Sequence, residues 1–233
     1  MACILSIESS GQAASTAVSL DGKLIWSRKS SELFAHSAAL GIQAAEAIRF
    51  IKENRFRLDA VAVSEGPGSY TGLRIGISLA KGLCFGFDIP LIALPTLKIM
   101  AIALIPSSSY LCPMIDARRM EIYSTLYDED LNEIEPVRAI IVNEDSYRDW
   151  LLQKEIIFFG SGAEKCKALI HSSNAVFAED IHPSALNMSD EAEKAFMRKA
   201  FVDIAYFEPF YLKEFQATTP KNKVIPAISQ SPI

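Results

Sequence analysis

Apolar residues in the first half of the chain fall into short runs broken by polar turns, and their period shifts from two toward 3.6 along the chain. "ACILSI" (2–7) reads as a strand bounded by the polar "ESSGQ". The alternating "ASTAVSL" (14–20), an Asp21-Gly22 turn and "KLIWSRKS" (23–30) complete an antiparallel meander. Residues 36–53 repeat at helical spacing, with Gln43, Glu46, Arg49 and Glu53 on a polar stripe. Next come a strand over 58–65, a glycine turn, a helix over 71–87, the strand "IPLIAL" (89–94) and the helix "PTLKIMAIAL" (95–104). The order β-β-β-α-β-α-β-α, a meander followed by parallel crossovers, is that of one lobe of the actin-like ATPase architecture.

The second half is less regular. "YLCPMIDARRMEIYSTLYD" (110–128) reads as two strands joined at Asp116 to Arg119, and "EDSYRDWLLQ" (144–153) as a short helix. "EIIFFGSG" (155–162) is a strand entering a second glycine turn, and "GAEKCKALI" (162–170) a helix. Residues 182–200 form a last helix with a proline near its start. The prolines and lack of period in "TTPKNKVIPAISQSPI" (218–233) predict a loose tail.

The stretch "SEGPGSYTGLRIGISLAKG" (64–82) is where phosphate chemistry would sit. Gly66, Gly68 and Gly72 permit close backbone approach, and a helix N-terminus offers free N–H groups to an anion. The spacing is neither a Walker A loop, lacking Gly-Lys-Ser/Thr, nor GxGxxG. A phosphate cradle and a tight strand-to-helix turn both satisfy it. The following helix is more informative. Its strongly polar residues, Arg74, Ser78 and Lys81, make one narrow stripe, whereas a surface helix normally carries a broad polar face. Gly76 and Gly82 each cost about 1 kcal/mol against alanine in a helix body. Gly72, Gly76 and Ala80 recur every fourth residue, and the 36–53 helix is rich in alanine. These helices either pack only on each other and their own sheet, or turn an outer face to another chain.

Composition narrows the function classes. A net charge of −5 and a pI near 5.3, with no Lys/Arg cluster, disfavour stand-alone nucleic-acid binding. The four cysteines form no CxxC pair and read as buried thiols in a reducing cytosol. No run approaches the ~20 apolar residues of a membrane span, and "MACILSIESS" lacks a basic n-region, so a soluble cytoplasmic protein is expected. The three histidines make no HxxxH pair, no GxSxG elbow exists, and no metal site is expected. Glu8, Glu65 and Asp116 are the acidic candidates at strand ends. Glu8 and Asp116 could equally serve turn amides.

Together with "ILSIESS", "HSAAL", "IPLIALPTL", "MIDARRMEIYSTLYD" and the late "EPFYLKE", the "GPGSYTGLRIG" block closely resembles the bacterial TsaB family, also called YeaZ. The resemblance implies an α/β, two-lobed actin-like (ASKHA) ATPase-type fold with mixed sheets flanked by helices. The lobes would span 1–104 and 105–216, with a loose tail at 217–233. It implies a non-catalytic subunit that pairs with the paralogue TsaD to make threonylcarbamoyladenosine beside the tRNA anticodon, with the ATPase TsaE in the same assembly. No cofactor of its own is implied, ATP and metal being expected on the partner subunits. Contact with tRNA would come mainly through the partner. The partner family's two metal histidines align with Thr96 and Met100 here, which suit no such metal, and Glu8 replaces the commoner Asp. The pairing surface carried over is helices 36–53 and 71–87, with His36, Leu40, Ala44, Gly72, Arg74, Ile75, Gly76 and Leu79 at or near it. The same helices could pair two copies of this chain. Glu8, Ser10, Gly66, Gly68 and Ser69 then read as an inherited phosphate-loop element, near enough to border a nucleotide held between subunits. The alternative is an actin-like small-molecule kinase or ATPase acting alone. A protease reading fails for want of a nucleophile arrangement or metal pair.

Overall fold

Two five-stranded mixed sheets with the same strand order organise the computed structural model, which describes residues 2–30 and 36–212. In the first, β1 (Cys3–Glu8), β2 (Ser15–Leu20) and β3 (Lys23–Lys29) form the expected meander. β4 (Ala60–Gly66) and β5 (Leu91–Pro95) add in parallel on the other side of β1. The spatial order is β3-β2-β1-β4-β5.

Every residue of β1 is buried because helices cover both sheet faces, so the strand reads as a continuous apolar run rather than an alternation. Leu5, Ile7, Val61 and Val63 project toward α1 (His36–Glu53) and α2 (Tyr70–Phe87), meeting Leu40, Ala47, Ile51, Ile77 and Ala80. Ile4, Ala60, Ala62 and Ile92 project the other way, onto Ile99 of α3 (Thr96–Ile102) and onto Met188, Ala192 and Ala195.

The second sheet comprises β6 (Tyr110–Asp116), β7 (Glu121–Tyr127), β8 (Glu133–Ile141), β9 (Ile156–Phe159) and β10 (Ala175–Ala178), in the order β10-β9-β6-β7-β8. β6, β7 and β8 are antiparallel neighbours, while β9 and β10 add in parallel. Counted within each sheet, both run 3-2-1-4-5. The short helices α4 (Arg148–Leu151) and α5 (Ala163–Lys167) accompany this sheet.

β8 and β10 were not expected from the sequence. Both are edge strands; β8 carries Pro136 and pairs with shifted register, as proline is tolerated at an edge, and β10 has only four residues. After β10 the chain returns to the first sheet. A 3₁₀ turn (Ala185–Met188) and α6 (Ser189–Met197) contact β1 and β2, although they lie within the 105–216 span expected for the second lobe. Val202 then donates to Leu91 O at 3.0 Å along β5. The 217–233 tail lies outside the described residues, among which no helix is long and apolar enough to cross a membrane.

All four cysteines are buried free thiols, pushed up by burial to about 11 for Cys3, Cys84 and Cys166 and about 12 for Cys112. They behave as small core hydrophobes.

Candidate functional site

β1 delivers Glu8 into a buried corner beside the glycine turn. Glu8 Oε1 accepts from both the N–H and the hydroxyl of Ser10, each at 2.6 Å, while Oε2 is buried without a hydrogen bond of good geometry. Burial pushes the Glu8 carboxyl above its ordinary value, against the opposing donors of Ser10, Ser64 and Ser9. Such a carboxyl is poorly suited to organising a cation. Among the described residues no group of three or more His, Cys, Asp or Glu side chains converges to hold a metal. Thr96 and Met100, at the positions matched to the partner family's histidines, are both buried.

The glycine turn is filled by the chain itself. A Cβ on Gly68 would lie 2.6 Å from Ser10 Cβ, and Ser69 N–H donates to Ser10 O at 2.7 Å. A Cβ on Gly72 would lie 2.0 Å from Ser9 O, and one on Gly76 2.1 Å from Ser9 Oγ. Ser9 Oγ donates to Gly72 O at 2.8 Å. Gly66, at φ +121°, faces Phe210 O, whose residue donates its N–H to Glu65 O at 2.7 Å. Ser69 caps α2, its hydroxyl accepting from Gly72 N–H at 3.2 Å. Two amides of the turn are thus committed to partners within the chain. Gly72 and Gly76 are small to admit the β1–β2 loop. This corrects their assignment to an interface with another chain.

A strap from the C-terminal side closes over this turn. Arg74 Nε donates to Tyr211 Oη at 3.0 Å, its guanidinium lies 4.2 Å from the Tyr70 ring centroid, and the two tyrosine rings are 5.0 Å apart. Arg74 is therefore exposed yet engaged.

The helix pair has an outer face, but it differs from the one expected. Leu40 and Ala44 point into the core, as does Gln43, which the sequence placed on the polar stripe. Ile75 and Leu79 are half-buried along the flank of the first core. The His36 side chain lies outside the described residues. Facing outward instead are Gly41, Ile42 and Ala45 on α1 with Ser78, Gly82, Phe85 and Gly86 on α2. Ile42 is 64% exposed and Phe85 85%, and Cβ atoms on Gly41, Gly82 or Gly86 would meet nothing within 4 Å. Sequence could have found Ile42: at 100° per residue it sits about 200° from the core position Leu40.

On the second sheet Asp116 ends β6 before a turn in which Arg118, Arg119 and Met120 all have positive φ. Its Oδ1 accepts from Arg118 N–H at 2.7 Å and from Lys165. Burial pushes the Asp116 carboxyl up, but Lys165 and the Arg118 amide outweigh it and hold it below the ordinary value. Asp116 thus serves its turn. Glu65 is raised by burial.

Comparisons with known proteins complete the picture. Residues 34–219 match the family model described as TsaD, tRNA N6-adenosine threonylcarbamoyltransferase. The chain is 33% identical over 164 residues to the Escherichia coli "tRNA threonylcarbamoyladenosine biosynthesis protein TsaB", covering 67% of this chain and 71% of that one. It is 34% identical over 121 residues to the Bacillus subtilis protein of the same description, covering 48% and 51%. The structure of YeaZ from Pseudomonas aeruginosa, 23% identical, superposes with a TM-score of 0.74 over 91% of this chain and 100% of that one, a likeness of fold. With the same two-sheet fold and this sequence identity across most of its length, the chain belongs to the TsaB (YeaZ) family.

Proposed function

We propose that this chain is a non-catalytic scaffold and activating subunit in tRNA threonylcarbamoyladenosine biosynthesis. It pairs with a TsaD-type transferase that modifies the adenosine next to the anticodon. The observation that carries this reading is the outer face of α1 and α2, where Ile42 and Phe85 stand exposed beside glycines with open space above them. Small residues let another helix approach closely, and exposed large hydrophobes supply area to bury. The names of its relatives support the pathway. The self-filled glycine turn and the buried Glu8, whose carboxyl burial raises above its ordinary value, weigh against an independent kinase or ATPase. ATP and metal would then belong to the partner subunits, with a TsaE-type ATPase in the same cytoplasmic assembly and tRNA held mainly by the transferase.

The test is light scattering on size-exclusion fractions of this chain, alone and mixed with the TsaD-type protein of the same organism. Each fraction is assayed for threonylcarbamoyl transfer to tRNA with the other pathway enzymes supplied. The expected result is a stable mixed complex and loss of transfer when this chain is omitted. Without a complex and without dependence the reading fails, and ATP binding by the chain alone becomes the next measurement. A homodimer that gives way to the mixed complex would mean that the same face serves both.

A further inference from the structure

A cavity of about 740 Å³ opens at the end of the first sheet opposite the glycine turn, where α1, α2 and α6 all finish. Its volume falls in the range of small-molecule sites, roughly 300–1,000 Å³. The walls are apolar, built from Ile51, Phe56, Ile89, Phe196 and Phe201 among others. One carbonyl at each helix end is met by an amide of the chain itself: Ile51 O by Phe56 N–H at 3.0 Å, Cys84 O by Ile89 N–H at 3.1 Å and Ala195 O by Ala200 N–H at 2.9 Å.

The lining nevertheless carries Lys52, Arg57 and Lys199 against Asp59 and Asp88, one net positive charge on a chain of net charge −5. Arg57 is spent on Asp59 Oδ1 at 2.7 Å, and Asp59 Oδ2 accepts from Cys3 N–H at 2.9 Å. Lys52 and Lys199 carry no ion pair among the described residues, and Asp88 is the remaining carboxylate of the lining. An apolar chamber with two uncommitted ammonium groups on its lining matches a ligand with an apolar body and one acidic group.

We propose that this cavity binds a small amphipathic anion, an aromatic or branched aliphatic body bearing one carboxylate or sulfonate. The body lies among the phenylalanine and isoleucine side chains and the anionic group meets Lys52 and Lys199. Because the cavity joins the ends of α1 and α2, its occupant would sit against the C-terminal ends of the two helices that form the outer face.

The probes are 8-anilinonaphthalene-1-sulfonate and its uncharged analogue N-phenyl-1-naphthylamine, titrated by fluorescence against the folded chain. The sulfonate should bind one to one. The double variant Lys52→Met/Lys199→Met should weaken it about tenfold, the scale of two partly exposed ion pairs, and leave the uncharged analogue unchanged. Ile48→Trp, which fills the cavity, should abolish binding of both probes. If that variant does not unfold cooperatively, Phe201→Trp at the same cavity replaces it. Phe85→Ser removes an exposed aromatic outside the cavity and should change neither titration. Binding that survives the filling variants, or that depends on Phe85, places the probe elsewhere and overturns the proposal. A lysine double variant that binds the sulfonate normally, or a wild type that binds only the uncharged analogue, overturns the anion assignment.

Discussion

Ser9 Oγ sits 2.1 Å from where a Cβ on Gly76 would be, and the same hydroxyl donates to Gly72 O at 2.8 Å. One serine of the β1–β2 loop is thus fitted against two successive turns of α2. Close approach explains why glycine persists in a helix body at a cost of about 1 kcal/mol. It also separates the glycines of α2 into two kinds, those meeting their own chain and those facing open space.

That separation predicts opposite signs for one substitution. Gly72→Ala meets the Ser9 backbone at 2.0 Å and should destabilise by about 3 kcal/mol, the upper range for overpacking. Gly76→Ala meets a side-chain oxygen and should cost about 1–2 kcal/mol, with much of it recovered in Ser9→Ala/Gly76→Ala. Gly82→Ala has open space and should stabilise by roughly 0.5–1 kcal/mol. Urea unfolding midpoints check all three. A loss at Gly82 equal to that at Gly72 would refute the distinction.

Glu8 predicts a pH dependence. Burial raises its folded carboxyl above the ordinary 4.5, so the folded state holds the proton to higher pH than the unfolded chain does. This contribution to stability is complete below about pH 4.5 and is lost as pH rises through the folded value. Glu8→Gln keeps an acceptor for Ser10 and cannot ionise. It should therefore gain on the wild type as pH rises from 4 toward 8. Parallel slopes for the two proteins in urea melts across that range would contradict the assignment.

The outer face predicts a contrast within one helix. Ile42→Asp and Phe85→Asp alter exposed side chains and should change monomer stability by no more than about 0.5 kcal/mol, while abolishing pairing in light scattering. Leu40→Asp places a carboxylate in the core and should unfold the chain. Pairing that persists in the double variant Ile42→Asp/Phe85→Asp would remove this face from consideration.

The strap over the glycine turn predicts a local effect. Tyr211→Ala removes the acceptor of Arg74 and the ring packed on Tyr70. Amide exchange at Phe210, which donates to Glu65 O, should accelerate, while amides in β1 and β4 keep their protection. Uniform acceleration would mean the strap contributes to global rather than local stability.

Hydrophobic period and turn chemistry made the first sheet and its helices legible: the meander, both long helices and the parallel strands after them were readable from local sequence, because each carries its own period and is bounded by polar or glycine turns. The "GPGSYTGLRIG" block identified the family for the same reason, as a run of residues contiguous in the chain. Edge strands β8 and β10 were not legible, since an edge tolerates proline, short length and weak pattern. The repeat of the 3-2-1-4-5 order in the second sheet became visible only once they were placed.

What only the tertiary structure decided was direction. Small residues at Gly72 and Gly76 and at Gly41 and Gly82 look alike in sequence, yet the first pair receives Ser9 and the second faces solvent. What fills the first pair lies outside the helix, 63 residues away for Ser9 and Gly72, so no helical period encodes which side is filled. The sequence by itself determined the elements and the family. The fold determined which face of α1 and α2 is left open, because that depends on what the β1–β2 loop and the returning C-terminal strap already cover.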